Sequence, residues 1–257
     1  MSSVTVALIQ AALHWQQPAA NHAHFERLMS ELPQVDLIVL PEMFNTGFSM
    51  QSETISQPEY GETVQWMQRL ASARQAAICG SVATQTAAGP VNRLWFVTPE
   101  GNVAFYDKKH LFRMSGEHHA YQSGNQRVVV NWRGMCFCLQ VCYDLRFPVF
   151  SRNRQDYDAL IYVANWPAAR SHVWTTLLQA RAIENQAFVL GCNCVGTDGN
   201  NITYSGDSLI VDYLGQPLQQ LLPQQEGVLY AELQPEALHQ FRQKFPAYLD
   251  ADAFSLN

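Results

Sequence analysis

The most chemically suggestive residues of this sequence are a cysteine, a glutamate and two adjacent lysines that follow apolar segments. Cys142 comes directly after "MCFCLQV", Glu42 comes two residues after "LIVL", and Lys108 and Lys109 come directly after "VAFYD". A cysteine that attacks a carbonyl carbon needs a base for its thiol proton and a donor for the oxyanion. These residue types predict a hydrolase with Cys142 as nucleophile, Glu42 as base and one of the two lysines as cation.

Each residue also has a simpler interpretation. Free cysteine is among the most buried residue types and is inert in most positions. A glutamate at a strand end can cap a helix or form an ion pair, and lysines often only solvate a loop. A cysteine protease would instead pair Cys142 with a histidine, but no papain-like or caspase-like signature surrounds the four candidates. Those candidates are His110, His118, His119 and His172.

Composition excludes several classes of protein. The chain has 257 residues, a formal net charge of -6 and only 15% charged residues, so it has no basic surface for nucleic acid or an anionic membrane. Its first residues, "MSSVTVALIQAALHW", lack the basic region and longer apolar core that are typical of a signal peptide, and no apolar run is long enough to span a bilayer. We expect a cytoplasmic protein with a small-molecule substrate and with neither nucleic acid nor membrane as partner.

The cysteines raise the question of a metal site. Two Cys-x-Cys pairs, Cys136/Cys138 and Cys192/Cys194, supply four thiols. Both pairs lie in apolar stretches with strand periodicity, and neither has the Cys-x-x-Cys spacing of a zinc knuckle. Without an export signal we also expect reduced thiols. Core packing is the preferred interpretation, and we expect no metal and no organic cofactor.

Strand-like and helix-like segments alternate along the chain, without repeats or linkers. Short apolar runs such as "LIVL" are typical of strands buried on both faces, and several turn signals predict hairpins. This pattern predicts a layered α/β sandwich. Helices are predicted from a cap at Asn21 to about Leu32, from about Glu62 to Gln75, from about His172 to Asn185, and from Pro235 onwards.

Three predicted strands end in polar or reactive residues. They deliver Glu42, Cys142 and the pair Asn165 and Trp166. Ligands of open α/β sheets bind beyond the carboxyl ends of the strands, so these residues are expected to converge on one site. The aperiodic segment 108–124 is long for a compact domain, which is typical of a functional loop.

Three segments together resemble the nitrilase superfamily of carbon-nitrogen hydrolases. They are "LPEMF", "DKKHLF" and "CYDLRFP", in the order and approximate spacing of that family. The resemblance implies that Glu42 is the base and Cys142 the nucleophile. The catalytic lysine of the family stands two residues before the histidine, here His110, which selects Lys108 over Lys109.

The resemblance implies further site residues. Glu117, seven residues before Gly124, matches a second glutamate that orients either Lys108 or the substrate amide. The oxyanion would be held by the Lys108 ammonium and the Tyr143 backbone N–H. The implied fold is a four-layer αββα sandwich that forms homodimers. We expect one domain over residues 1–257, with a helix and tail from about residue 235.

Two segments, "NWPAARSHVW" and "LFRMSGEHHAYQSGN", look most like the omega-amidases of that superfamily. The implied activity is hydrolysis of short dicarboxylate monoamides, such as 2-oxoglutaramate or succinamate, through a cysteine thioester. The alternatives are an N-carbamoyl or aliphatic amide hydrolase of the same superfamily, or a non-catalytic binding protein on the same fold.

An acidic protein that binds an anionic substrate needs a local cation. A guanidinium can meet a carboxylate in two parallel hydrogen bonds, and three arginines flank the expected site. For Arg146 an ion pair with Asp144 is the simpler alternative, and Phe48 is either a pocket wall or part of the core. The expected substrate contacts are Phe48, Arg113, Arg146, Asn165, Trp166 and Arg170.

Overall fold

The structure of the protein, a computed structural model, describes residues 3–255. Within that range the strands are β1 (Val4–Gln10), β2 (Leu37–Val39), β3 (Gln57–Pro58), β4 (Ala77–Thr86), β5 (Gly89–Val97), β6 (Val103–Asp107), β7 (Val129–Trp132), β8 (Met135–Val141), β9 (Ala159–Ala164), β10 (Phe188–Asn193), β11 (Val195–Thr197), β12 (Thr203–Ser205), β13 (Leu209–Val211), β14 (Pro217–Gln220) and β15 (Gly227–Leu233). The α-helices are α1 (Pro18–Ser30), α2 (Ser52–Ile55), α3 (Glu62–Arg74), α4 (Glu117–Ala120), α5 (Pro148–Ser151), α6 (Ser171–Asn185) and α7 (Pro235–Lys244). Short 3-10 helices cover Arg113–Ser115, Cys142–Arg146, Ala168–Arg170 and Ala247–Asp250.

Two mixed β-sheets form the middle of the molecule. The first has the strand order β15-β1-β2-β4-β5-β6, with β3 beside β4, and the second has the order β14-β13-β10-β9-β8-β7. Each sheet has a parallel centre, formed by β1, β2 and β4 in the first and by β8, β9 and β10 in the second. The outer strands of each sheet run antiparallel to their neighbours, except for β3. Strands β11 and β12 form a separate hairpin.

The two sheets pack face to face, and helices cover their outer faces. In β1, Val4, Val6 and Leu8 face the core between the sheets, whereas Ala7 and Ile9 face the core beneath α1 and α3. A strand buried on both faces needs apolar residues at successive positions, which explains the apolar run in its sequence. Helix α6 packs on β10 and β13 of the second sheet. The architecture is therefore the four-layer αββα sandwich that was expected.

The first helix differs from its prediction. Asn21 does not cap it, because α1 begins at Pro18 with Gln17 before it. Proline suits a first helical position, where its missing N–H would have no partner. The Asn21 side chain instead bonds the backbone of His14 and the carbonyl of Asn45, and so joins two loops.

The other predicted helices lie close to their expected positions. Helix α3 ends at Arg74, and its buried side includes Val64, Met67 and Ala71, whereas Ala73 is exposed. Helices α6 and α7 begin at Ser171 and Pro235. No helix in the described part of the chain has the length and apolar character needed to cross a bilayer.

Strand direction brings the reactive segments to one edge. Strands β2, β8 and β9 end shortly before Glu42, Cys142 and Asn165. Strand β6 is antiparallel to β5, which is antiparallel to β4, so β6 points the same way as β2 and delivers Lys108 to the same edge. Strand β5 runs in the opposite direction, which places Asn92, near its beginning, at that edge as well.

Candidate active site

Glu42 is a fully buried carboxylate with several donors around it. Its Oε1 accepts hydrogen bonds from Lys108 Nζ at 2.8 Å and from Asn92 Nδ2 at 2.7 Å. Its Oε2 accepts one from the Asn165 backbone N–H at 2.9 Å. A buried charge is tolerated when it is paired and hydrogen-bonded, so this environment stabilises the ionised carboxylate.

Lys108 lies between two glutamates, with its side chain fully buried. Its Nζ donates to Glu42 Oε1 at 2.8 Å and to both carboxylate oxygens of Glu117 at 2.9 Å. Burial by itself lowers the pKa of Lys108, but the charges of Glu117 and Glu42 outweigh burial and raise that pKa above its usual range. The ammonium is therefore charged at neutral pH, and its three N–H donors are all engaged.

Glu117 begins α4 and is fully buried as well. Burial raises its pKa, the charge of Lys108 opposes the rise, and the charge of Glu42 adds to it. Besides the Lys108 ammonium, its oxygens accept hydrogen bonds from Phe112 N–H at 2.5 Å and from Asn92 Nδ2 at 3.3 Å. A carboxylate accepts about four hydrogen bonds, and four donor contacts surround this one, which favours its ionised form.

Cys142 is the residue at which the chain turns out of β8 into a short 3-10 helix. Its φ is 44°, in the left-handed region that residues other than glycine rarely adopt and that is frequent at active sites. Burial raises the pKa of its thiol well above the ordinary value, and the charge of Glu42 raises it further. The thiol is therefore protonated in the free protein at neutral pH and needs a base before it can attack.

A third buried carboxylate, Asp144, joins the cysteine turn to the segment after Lys108. Its Oδ2 accepts hydrogen bonds from Val141 N–H at 2.9 Å and from the Tyr106 hydroxyl at 2.8 Å. Its Oδ1 accepts them from the backbone N–H of His110 at 2.9 Å and from His110 Nδ1 at 2.7 Å. These four donors fill its acceptor positions, and the ion pair considered between Asp144 and Arg146 is absent from the described structure.

A cavity of about 570 Å³ opens above these groups. Its wall includes Cys142, Lys108 and all but one of the predicted substrate contacts, which are Phe48, Arg146, Asn165, Trp166 and Arg170, together with Tyr143 of the predicted oxyanion donor. Other lining residues include Trp15, Met50, Phe112, Met114, Asp198, Asn200, Ile202 and Tyr204. The ring of Phe48 lies 5.0 Å from Lys108 Nζ, so it is a wall of the cavity.

The three candidate arginines do not share one location. Arg146 lies over the ring of Trp166 at 5.3 Å, and Arg170 lies over the ring of Phe112 at 5.4 Å, and both line the cavity. Arg113 is exposed and does not line it. Arg113 thus differs from the other five expected substrate contacts, which line the cavity, and its role as a contact stays a prediction.

Asn92 is a site residue that the sequence analysis missed. It is fully buried and donates to both glutamates, although it belongs to no recognised segment. Its signal was periodicity: Asn92, Leu94 and Phe96 occupy alternate positions of β5, and the latter two face the core between the sheets. A polar residue in such a core-facing series is informative, because buried polar groups are uncommon.

The Cys-x-Cys pairs are distributed as core packing predicts, with one exception. Cys138 and Cys192 are fully buried and Cys194 is 2% exposed, whereas Cys136 is only half-buried. Within residues 3–255 we find no cluster of three or more His, Cys, Asp or Glu side chains arranged to hold a metal ion.

This distribution makes the reactivity of Cys142 testable with an internal control. In the native protein, iodoacetamide is expected to modify Cys142 and Cys136 and to leave the other four thiols intact, because those are inaccessible. Glu42→Gln should slow modification of Cys142 at least ~10-fold, since its high-pKa thiol loses its base. Peptide mass spectrometry measures both rates. Equal slowing at Cys136, or none at Cys142, would contradict the assignment of Glu42.

Comparison with known proteins identifies the family of this chain. The family model described as Carbon-nitrogen hydrolase matches residues 5–243. The chain is 52% identical over 256 residues to Omega-amidase YafV of Yersinia enterocolitica and 50% identical over 256 residues to Omega-amidase YafV of Escherichia coli K12, covering 100% of each chain. It is 31% identical over 252 residues to 2-oxoglutaramate amidase of Bacillus subtilis, covering 96% of both.

Similar solved structures belong to the same family. A CN-hydrolase superfamily protein of Xanthomonas campestris, which carries an arsenic adduct in its active site, has a TM-score of 0.97 and 44% identity, covering 100% of both chains. Saccharomyces cerevisiae Nit3, a member of branch 10 of the nitrilase superfamily, has a TM-score of 0.85 and 27% identity, covering 95% of both. The chain therefore belongs to the carbon-nitrogen hydrolase family, the nitrilase superfamily.

Proposed function

We infer that this protein is an omega-amidase, which hydrolyses the terminal amide of short dicarboxylate monoamides to the acid and ammonia. Substrates of this class are 2-oxoglutaramate and succinamate. The observation that carries the inference is one cavity that holds Cys142, the Lys108 ammonium and two arginines, with Glu42 behind it. The names of the omega-amidase and 2-oxoglutaramate amidase relatives support the same class.

In the first half of the proposed reaction, Glu42 accepts the thiol proton while Cys142 Sγ adds to the amide carbonyl carbon. The raised pKa of that thiol makes this transfer necessary. Negative charge then develops on the carbonyl oxygen. We assign its stabilisation to the Tyr143 backbone N–H and the Lys108 ammonium, which both border the cavity.

The hydrogen bonds of Lys108 add a condition to this assignment. All three of its N–H donors contact carboxylate oxygens in the free protein, so one contact must lengthen before Lys108 donates to an oxyanion. The second contact to Glu117 is the one we expect to lengthen, because Glu117 keeps Phe112 N–H and Asn92 as donors. Glu117 is thus proposed to orient Lys108 rather than the substrate amide.

In the second half, Glu42 returns the proton to the leaving nitrogen, and ammonia departs as the carbon–nitrogen bond breaks. The acyl group remains on Cys142 as a thioester. Water then gives a proton to the same carboxylate and adds to the thioester carbonyl, and the carbon–sulfur bond breaks to release the acid. The proton on Glu42 restores the thiol. The proposal includes no metal and no organic cofactor.

The substrate carboxylate is proposed to bind at Arg146 or Arg170. Both line the cavity that contains Cys142, and a guanidinium holds a carboxylate through two parallel charge-assisted hydrogen bonds. Such an anchor sets the distance between the carboxylate and the amide, and thereby presents the amide carbon to the sulfur.

Substrate charge should therefore control efficiency. We expect kcat/KM for succinamate to exceed that for butyramide at least ~10-fold, because a hydrogen bond to a charged group contributes about 1.5–3 kcal/mol. Arg146→Met or Arg170→Met should reduce this ratio towards one, since each removes a guanidinium from the cavity wall. Arg113→Met is the matched control and should leave the ratio unchanged, because Arg113 does not line the cavity.

Steady-state ammonia release measures these ratios. Equal kcat/KM values for succinamate and butyramide in the parent protein would contradict the anionic anchor. So would a ratio that survives both cavity substitutions, or one that falls with Arg113→Met.

The activity itself is tested by ammonia release from a panel of compounds. We expect 2-oxoglutaramate and succinamate to be preferred over aliphatic amides, N-carbamoyl amino acids and nitriles. Preference for an N-carbamoyl or aliphatic amide would select another amidase of the superfamily. Absence of release from every compound would favour a binding protein.

We also propose three general properties of the protein. The chain is proposed to act as one carbon-nitrogen hydrolase domain, to form homodimers and to work in the cytoplasm. The homodimer is tested by light scattering of the purified protein, where a mass near twice the 29.0 kDa of the chain is expected and a mass of one chain would contradict it.

A further inference from the structure

Asn92 stands between the two buried glutamates without itself being able to exchange protons. It is 0% exposed and lies near the beginning of β5. Its Nδ2 donates to Glu42 Oε1 at 2.7 Å and to Glu117 Oε1 at 3.3 Å. Its backbone carbonyl accepts the backbone N–H of Lys108 at 3.0 Å. One residue therefore contacts all three charged members of the site.

The orientation of the Asn92 amide follows from its surroundings. Turning the amide over would direct its oxygen at two carboxylate oxygens. An ionised carboxylate can accept hydrogen bonds but cannot donate them, so this orientation would be repulsive. With Nδ2 directed at the glutamates, Oδ1 is buried and finds no hydrogen-bond donor in the described part of the chain. An unsatisfied buried acceptor is unfavourable, and an apolar residue in its place would avoid it. Stability alone therefore does not account for asparagine at this position.

The consequence for Glu42 follows from counting its acceptor positions. Each carboxylate oxygen accepts about two hydrogen bonds. Oε1 receives two, from Lys108 and Asn92, and is filled. Among residues 3–255, Oε2 accepts one hydrogen bond, from the Asn165 backbone N–H, so one of its positions remains for a proton.

We propose that Asn92 is a positioning residue that occupies Oε1 of Glu42 and thereby reserves Oε2 for proton exchange with Cys142. Its donated hydrogen bond also favours the carboxylate form of Glu42, which is the form that can act as a base. This inference rests on the proposed role of Glu42 as the base.

Removing the Asn92 donor should shift the pH dependence of Cys142 reactivity in one direction. A hydrogen bond to an ionised carboxylate favours that form, so its loss favours the protonated form. The acid limb of the reactivity of Cys142 should then move to higher pH by about 1 unit, the size expected for one charge-assisted hydrogen bond. The charged or titratable groups that act on the buried pair of Glu42 and Glu117 are Lys108, Cys142, Tyr121, Cys194 and Tyr204, and none of them changes in the variants below.

The experiment compares the parent protein with Asn92→Leu and Asn92→Ala. Both lack the donor, and they differ in whether the space is filled or emptied. Alkylation of Cys142 by iodoacetamide is followed between about pH 4 and pH 9 by peptide mass spectrometry, because this neutral reagent requires no amidase activity. The pH profile of kcat/KM for succinamate is measured in parallel. Glu42→Gln should abolish the acid limb and so assigns the limb to Glu42.

Asn185→Leu provides a matched control. Asn185 is also a buried asparagine, 4% exposed, but its side chain bonds the backbone of Asn153 and Arg181 and the carboxylate of Glu184, and it does not contact Glu42 or Glu117. Its substitution should lower stability and leave the acid limb in place. If Asn92 had only a structural role, N92L and N92A should behave like N185L, with lower stability and an unchanged acid limb.

An upward shift of the acid limb in N92L and N92A, with none in N185L, supports the inference. An acid limb within ~0.3 pH unit of the parent in N92L and N92A would overturn it, as would an equal shift in N185L. If no monoamide is hydrolysed but the alkylation limb shifts, the proposed substrate class fails and the role of Asn92 stands. If succinamate is hydrolysed and neither limb shifts, the role of Asn92 fails and the proposed function stands.

Discussion

Replacing Cys142 by alanine is expected to abolish turnover of succinamate while leaving the fold intact. Loss of a nucleophile that acts together with its base typically costs on the order of 10⁶-fold in kcat. The side chain loses only its sulfur, a small change at a residue that lines the cavity at the margin of the core between the sheets. Activity is measured by ammonia release, and folding by circular dichroism and thermal unfolding.

Cys136→Ala is the matched control for this variant. Cys136 is half-buried on the preceding strand and lies outside the cavity, so its loss should change kcat less than about twofold. Acid-quenched intermediates should carry the acyl group as a thioester on Cys142. Comparable turnover in C142A, or an acyl group trapped on another cysteine, would end the assignment of the nucleophile.

Replacing Lys108 by alanine is expected to reduce both catalysis and stability. Loss of one oxyanion donor typically lowers kcat by ~10²- to 10³-fold. Removal of the ammonium also leaves Glu42 and Glu117 buried without their shared counterion, and breaking a buried ion pair typically costs about 3–5 kcal/mol of unfolding free energy. Kinetics and denaturant unfolding measure the two effects separately.

The neighbouring lysine supplies the control. Lys109 is half-buried, and its backbone N–H, which donates to the Tyr106 hydroxyl at 3.1 Å, is unaffected by a side-chain substitution. Lys109→Ala should therefore leave kcat within about threefold of the parent and stability within ~0.5 kcal/mol, as for most surface substitutions. The opposite ranking of K108A and K109A would show that the two lysines exchange roles.

The fold was largely predictable from the sequence, because burial on both faces of a strand leaves a visible apolar run. The segment "MCFCLQV" coincides with β8 and "LIVL" contains β2, and nearly every residue of these two strands is buried. The cap of the first helix was not predictable in this way, because Asn21 had the right residue type for a cap, and only its partners show that it joins two loops. The placement of four layers came from resemblance rather than from periodicity.

Local sequence also singled out Glu42, Lys108, Glu117 and Cys142, through segments in which strand, turn and reactive residue are contiguous. What it could not determine were contacts between residues that are distant in the chain. Glu42 and Asn165 are 123 positions apart. Their hydrogen bond forms because β2 of the first sheet and β9 of the second sheet, each from the parallel centre of its sheet, end at the same edge.

The same limitation explains the two largest differences between prediction and structure. Arg113, Arg146 and Arg170 looked equivalent in the sequence, but Arg146 and Arg170 line the cavity whereas Arg113 is exposed outside it. Asn92 had no neighbouring signature, because its partners are reached across the sheet rather than along the chain. Sequence thus determined which groups are available for chemistry, whereas tertiary packing decided which of them are buried together, where burial and neighbouring charges shift the pKa values of Lys108, Glu117 and Cys142.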